Sequence, residues 1–169
     1  MMTRLYHDRS FAVFRQINRL ARATGLSPYS PQQFTAMQAD HTLCCLVAEL
    51  PRFQRPPVGY ILYQLIVPEV EIYDLAVHPL WQKHGIGSLL WRIAQRHMRE
   101  AGATECRLEM RRSNTKAQRF YRGHGFQEHG VRQDYYREPP EDAILLHCRL
   151  LTDDPEPPVQ FSLDLPPKG

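Results

Sequence analysis

The sequence predicts a single α/β domain: a mixed, mostly antiparallel twisted sheet with a central parallel strand pair and helices on both faces. Three observations carry that expectation. Strand-like runs at 42–50 and 58–66 face each other across a proline-rich connection, as antiparallel neighbours do. A third run, 70–77, is followed by a glycine loop, an amphipathic helical stretch and another strand, the order of a right-handed parallel crossover. Finally, 169 residues with 43% hydrophobic and 23% charged content suit one soluble globular unit with a sizeable core.

Each element has a local reason. A first strand is expected at 3–7. A helix follows at 10–23, where Phe11, Phe14, Ile17 and Leu20 recur every three residues and Gly25 supplies the stop. Ser30-Pro31-Gln32-Gln33 reads as a capping box with proline at the first helical position, with Phe34 and Met37 turned inward. Between the next two strands, 51–57 contains three prolines and reads as a hairpin loop. After the glycine loop, Leu89, Leu90, Ile93, Ala94, His97 and Met98 fall at helical spacing, closed by Gly102. The strand 104–111 alternates cleanly, with Cys106, Leu108 and Met110 on one face and Glu105, Arg107, Glu109 and Arg111 on the other. A short helix capped by Ser113 or Asn114 carries Ala117, Phe120 and Tyr121, and Gly123 and Gly125 break it. Final strands are expected at 126–132 and 143–151.

Composition narrows the function classes. Residues 152–169 hold four acidic side chains against one lysine, a net of −3, and five prolines. They are expected to form an extension to a domain spanning 1–151. With +3 overall, that leaves +6 on the body, which suits a polyanionic ligand but is too diffuse to argue for nucleic acid. No apolar run approaches the ~20 residues of a membrane span, and 1–8 lacks the apolar core of a signal peptide. A cytoplasmic protein with no membrane partner is expected. None of the four cysteines has Cys-x-x-Cys spacing and the eight histidines are scattered, so no metal site is expected. The oligomeric state is left open.

The segment richest in chemistry is Gln82-Lys83-His84-Gly85-Ile86-Gly87. Strand, glycine loop and helix together can grip phosphate, because glycines admit close approach and unpaired N–H groups at the helix start face the anion. Such a loop also serves simple turn geometry. It lacks the Lys-Ser/Thr ending of one familiar phosphate loop and is not a Gly-x-Gly-x-x-Gly turn. The downstream chain decides the case.

Taken together, these features resemble the GNAT superfamily of N-acetyltransferases. Its Gln/Arg-x-x-Gly-x-Gly/Ala loop is matched by Gln82, Gly85 and Gly87. The segment Leu108-Glu109-Met110-Arg111-Arg112-Ser113-Asn114 is similar to one in the bacterial ribosomal-protein-alanine N-acetyltransferase (RimI-like) group. So are Phe120-Tyr121, Gly125-Phe126, Tyr135-Tyr136 and Glu141-Asp142-Ala143-Ile144, and Pro28-Tyr29-Ser30 resembles that group's Pro-Trp-Ser turn. The resemblance covers about 11–150.

It implies acetyl-CoA as co-substrate, with Leu75, Ala76 and Val77 presenting backbone groups to the pantetheine arm and thioester. Gln82, Lys83, His84, Gly85, Ile86, Gly87 and Ser88 would wrap the pyrophosphate, and Asn114 would touch the cofactor. Lys83 replaces a common Arg, and His78 an acidic residue before Pro79. Glu109 would be the general base, acting through water, and Tyr121 the acid that protonates the leaving sulfur. By pattern alone, Glu109 between Arg107 and Arg111 reads as a solvated ion pair, and Tyr121 as a core aromatic. Tyr135 and Tyr136 would form a loop beside the peptide entrance, with Tyr29 on the opposite wall.

The acceptor implied is the N-terminal α-amine, Ala for choice, of a protein such as a ribosomal protein. A magnitude favours it: an α-amine with pKa near ~7.8 is roughly 3.5 kcal/mol easier to neutralise than a lysine near ~10.4. Lysine side chains, small-molecule amines and a non-catalytic acetyl-CoA sensor remain the alternatives.

Overall fold

In the computed structural model, the described residues are 2–6, 11–49 and 57–150. The extension 152–169 and nearly all of the proline-rich connection lie outside them. The elements are β1 (Met2–Tyr6), α1 (Phe11–Thr24), α2 (Pro31–Ala39), β2 (Leu43–Glu49), β3 (Gly59–Ile66), β4 (Glu69–Val77), α3 (Ile86–Glu100), β5 (Glu105–Arg111), α4 (Thr115–Arg122), β6 (Gln127–Arg137) and β7 (Pro140–Arg149). A 3₁₀ turn, Pro79–Trp81, lies between β4 and α3. The seven strands form one sheet in the order β1-β2-β3-β4-β5-β7-β6, with β4 and β5 parallel and the other neighbours antiparallel.

Strand alternation divides the core into two layers. On one face Leu90, Trp91, Ala94 and Met98 of α3 pack against Ile61, Tyr63, Ile72 and Leu108. On the other, Phe14, Ile17 and Leu20 of α1 and Phe34 of α2 pack against Cys45, Val47, Tyr60 and Leu62. The helices therefore cover both faces, as the periodicities predict. Ser30 completes its capping box: its hydroxyl accepts from Gln33 N–H, and its own N–H donates to Gln33 Oε1 at 2.7 Å.

Two irregularities position the site. The β3–β4 register passes from Leu62↔Asp74 to Tyr63↔Ile72, leaving Tyr73 as the extra residue of a β-bulge. The bulge resets the alternation by one, so Ile72 and Leu75 both pack on the α3 side while Ala76 packs on the α1 side. Parallel pairing of β4 with β5 also stops at Ile72↔Leu108. The β5-facing edge of 73–77 is thus left without a ladder partner, and the strands part there.

One expectation is corrected. Tyr135 and Tyr136, expected in a loop, lie in β6, which runs on to Arg137. Around Asp134 (φ 51°) the register with β7 shifts, and pairing resumes at Tyr136↔Glu141. Asp134 N–H donates to Asp142 Oδ1 at 3.0 Å across this irregularity. An Asp tolerates the left-handed backbone there, and the two tyrosines favour extended structure beyond it.

Candidate active site

A cleft of about 300 Å³ opens where β4 and β5 part. Leu75, Ala76, Val77, Gln82, Lys83, Gly85, Ile86, Gly87, Ser88, Asn114 and Tyr121, all singled out from sequence, line it together. His84 does not. Its Nδ1 contacts Gln82 O at 2.8 Å and its ring lies 6.0 Å from that of Trp81, so it braces the loop from outside.

The loop's conformation follows from its residues. Lys83 (φ 64°) and Gly85 (φ 76°) both adopt left-handed backbone, alternating as in an anion-binding nest. Gly85 is the N-cap of α3 and supplies no capping side chain, so the first-turn N–H groups stay available to a ligand. Gly87 is small for a packing reason: a Cβ there would lie 3.2 Å from the Phe120 ring. Gln82 anchors the loop, its Nε2 donating to Val77 O at 2.9 Å while its Oε1 accepts from Lys116 Nζ. Asn114 spends its side-chain oxygen capping α4, accepting from Ala117 N–H at 3.1 Å. Open donors, two lysines and no carboxylate in the lining fit a phosphate-bearing cofactor.

Tyr121 is buried, with 6% of its surface exposed, and its ring packs between Phe120 and Phe126 at 5.1 Å from each. Burial pushes its hydroxyl pKa well above the ordinary value, with Cys106 and Asp74 adding to the effect. It therefore stays a phenol at any physiological pH.

Beyond β4 lies a second cavity of about 500 Å³, lined by Tyr29, Tyr135, Tyr136 and Glu109 along with Gln33, Ala36, Met37, Glu71, Ile72 and Tyr73. The predicted substrate walls and the predicted base thus converge from three separate segments. Tyr29 is pinned three ways. Its N–H donates to Asn18 Oδ1 (2.7 Å), its carbonyl accepts from Asn18 Nδ2 (2.8 Å), and its hydroxyl donates to Asp74. Tyr136 lies under the Arg111 guanidinium, 4.2 Å from its ring centroid. Arg111 also donates to the Glu138 and Pro139 carbonyls and pairs with Glu141 at 3.2 Å, holding the β6–β7 turn.

Glu109 pairs with neither flanking arginine. Arg107 is bonded to Glu69, Arg111 to Glu141, and Glu109 Oε1 meets Arg132 Nη1 of β6 at 2.7 Å. Both flanking arginines are held by carboxylates on the adjacent strands β4 and β7, and Arg132 reaches Glu109 from two strands away, across β7. A hydrogen bond with Glu109 also raises the Tyr135 pKa.

Sequence reasoning missed Lys116, Phe120 and Trp81 in the cleft, and Glu71 and Tyr73 in the second cavity. It also missed Asp74, whose signal was a lone carboxylate in the otherwise apolar run 72–77.

The arrangement, a parted parallel strand pair beside a glycine-started helix, defines the class of fold to which several solved N-acetyltransferases belong. The ribosomal-protein-S18-alanine N-acetyltransferase of Escherichia coli superposes with a TM-score of 0.76 at 21% identity, covering 90% of this chain and 97% of that one. The structure of the NatC complex bound to Gag peptide and CoA matches with a TM-score of 0.74 at 26% identity, covering 89% and 98%. The acetyltransferase (GNAT) family profile matches residues 13–126, and this chain belongs to that family. It is 31% identical over 96 residues to the ribosomal protein bS18-alanine N-acetyltransferase of Haemophilus influenzae, a stretch covering 55% of this chain and 65% of that protein. The aligned part thus spans just under two thirds of that relative's length. Among the described residues, no helix is long and apolar enough to cross a membrane.

Proposed function

We propose that this protein is an acetyl-CoA-dependent N-acetyltransferase acting in the cytoplasm on the N-terminal α-amine, Ala for choice, of a protein such as a ribosomal protein. The observation that carries this reading is the pairing of a cation-lined cleft with an acid-lined cavity across the bulged part of β4. The names of the relatives bring the acceptor class. Acetyl-CoA would lie along Leu75–Val77 with its pyrophosphate over Lys83 and the N–H groups at the start of α3.

The chemistry then falls to three groups. Glu109 takes the amine's proton through water, its carboxylate held in place by Arg132 at 2.7 Å. The neutral amine attacks the thioester carbonyl, the carbon–sulfur bond breaks, and Tyr121 donates its proton to the leaving thiolate. No acyl-enzyme is needed, and the four cysteines are free thiols, three of them buried. Tyr29, Tyr135 and Tyr136 wall the entrance, and aromatic walls there favour a small first residue.

The test is incubation with acetyl-CoA and an Ala-initiated ribosomal-protein peptide that also contains lysine, followed by tandem mass spectrometry. Label on the α-amine alone is expected. Label on lysine would overturn the acceptor, and binding of acetyl-CoA with no label at all would overturn the enzymatic reading.

A further inference from the structure

The two cavities are lined by successive stretches of β4, 71–73 and 75–77, and the residue between them is a carboxylate to which no role above has been given. Asp74 stands between Tyr73, which lines the amine-side cavity, and Leu75, which lines the cofactor cleft. The bulge at Tyr73 sets its side chain on the α1–α2 side of the sheet, half-buried. There the hydroxyls of Tyr29 and Tyr60 (3.4 Å) both donate to a single oxygen, Oδ2. Oδ1 accepts no hydrogen bond from a described residue. Nor does any described Lys, Arg or His pair with Asp74, whereas Glu109, Glu141 and Asp142 each have an arginine.

A desolvated carboxylate without a cation is costly, and proteins keep such groups sparingly. Burial raises the pKa of Asp74, while the bonds from Tyr29 and Tyr60 pull it back down, as expected for hydroxyls that favour the ionised form. Its charge also adds, after burial and Cys106, to the raised pKa of Tyr121, the proposed acid. What this position lacks is a positively charged donor.

We propose that Asp74 is the amine-binding residue: Oδ1 accepts a hydrogen bond from the acceptor's ammonium while Oδ2 stays held by Tyr29 and Tyr60. The inference rests on the α-amine reading above and deepens it. Because Asn18 fixes the Tyr29 backbone and Tyr29 fixes Oδ2, the free oxygen is presented in one place. After Glu109 has drawn off one proton through water, the neutral amine still has N–H groups for Asp74. Its lone pair then points away from the carboxylate. Asp74 would thus select an amine and orient it, with proton removal left to Glu109.

The test uses the full chain loaded with coenzyme A, an Ala-initiated peptide, and its des-amino analogue carrying propionyl in place of alanyl. Calorimetry on the unmutated protein should show the amine form binding about tenfold tighter or better, a difference of roughly 1.4 kcal/mol. In Asp74→Asn the two peptides should bind within about twofold of each other, with coenzyme A affinity unchanged. Tyr29→Phe, which keeps the carboxylate, should retain the preference. A full preference for the amine in D74N overturns the proposal, as does equal binding of both peptides to the unmutated protein.

A second measurement does not depend on D74N folding. In the Glu109→Gln protein, a ¹⁵N-labelled α-amine in the bound peptide should titrate above its free value, because Asp74 favours the charged form. A value at or below the free one overturns the assignment. Failures are separable: label on lysine alone sinks the α-amine reading, whereas α-amine label with an unchanged preference in D74N sinks only the role given to Asp74.

Discussion

The cofactor cleft and the amine-side cavity flank the same strand and are built in opposite ways. The cleft draws mostly on two contiguous stretches, 75–88 and 114–121, and offers backbone donors, Lys83 and Lys116, with no acidic side chain in its lining. The amine-side cavity draws on the turn before α2, on α2 itself, on β4, β5 and β6. It is walled by tyrosines and carries Glu71 and Glu109, with no lysine or arginine in its lining. Charge is thereby sorted across a single strand: an anionic donor is favoured on one side and a cationic acceptor on the other. A transferase for two oppositely charged substrates gains from this, since each is discouraged from the other's place.

That comparison can be broken or sharpened by variants that act on one side only. The largest effect belongs between the two. Tyr121→Phe removes the proposed acid without disturbing the packing of the ring, and kcat should fall about 100-fold with coenzyme A affinity within about twofold. A kcat within a few-fold of normal would leave Tyr121 as a core aromatic. Next, Arg111→Ala releases Tyr136, Glu141 and two turn carbonyls at once. Peptide KM should rise about tenfold while coenzyme A affinity stays put; a change in coenzyme A affinity instead would show the two sides to be coupled.

On the cofactor side, Gly85→Ala places a Cβ in open space but on left-handed backbone, a cost of about 1–2 kcal/mol. Thermal stability should drop and the coenzyme A Kd should rise several-fold, with the residual peptide KM unaffected. Calorimetry and a melting curve check both.

The smallest effect is in pH. His124, whose Nε2 lies 3.0 Å from Ser88 Oγ, has its pKa lowered by burial and, less, by Arg92. Its folded value lies below the ordinary 6.5, so the unfolded chain takes up the proton first as pH falls. Its share of stability is present above about pH 6.5 and is lost on descending toward the lower folded value. The melting temperature should therefore fall less between pH 7.5 and 5.5 in His124→Gln than in the unmutated protein, by a few degrees at most. An identical fall in both would remove His124 from the account.

Reading the chain in order recovered the cleft better than the cavity facing it, and the reason is physical. A glycine loop between a strand and a helix is a local object, so Gln82, Gly85 and Gly87 are legible in eight or ten residues. Of the helix positions expected to face inward, Leu89, Leu90, Ala94 and Met98 are buried and Ile93 and His97 half-buried, since all obey one period. Glu109 was read beside Arg107 and Arg111, but its cation is Arg132, more than twenty positions away. The resemblance sets the tyrosine pair in a loop beyond the strand expected at 126–132, whereas β6 continues past a register shift near Asp134 that depends on Asp142 in the next strand.

The sequence by itself determined the helices, the capping box at Ser30, the crossover that makes β4 and β5 parallel, and the glycine loop between β4 and α3. Each follows from periodicity, capping or glycine freedom within one element, where short-range sterics and hydrogen bonds decide. Only the tertiary structure decided that β4 bulges at Tyr73, that it parts from β5 beyond Ile72, and that Tyr29, Glu109 and Tyr136 share a cavity. It alone put Asp74 under two tyrosine hydroxyls with one oxygen left over. Those are contacts between residues dozens of positions apart, set by how strands pair and layers pack, and no local period encodes them.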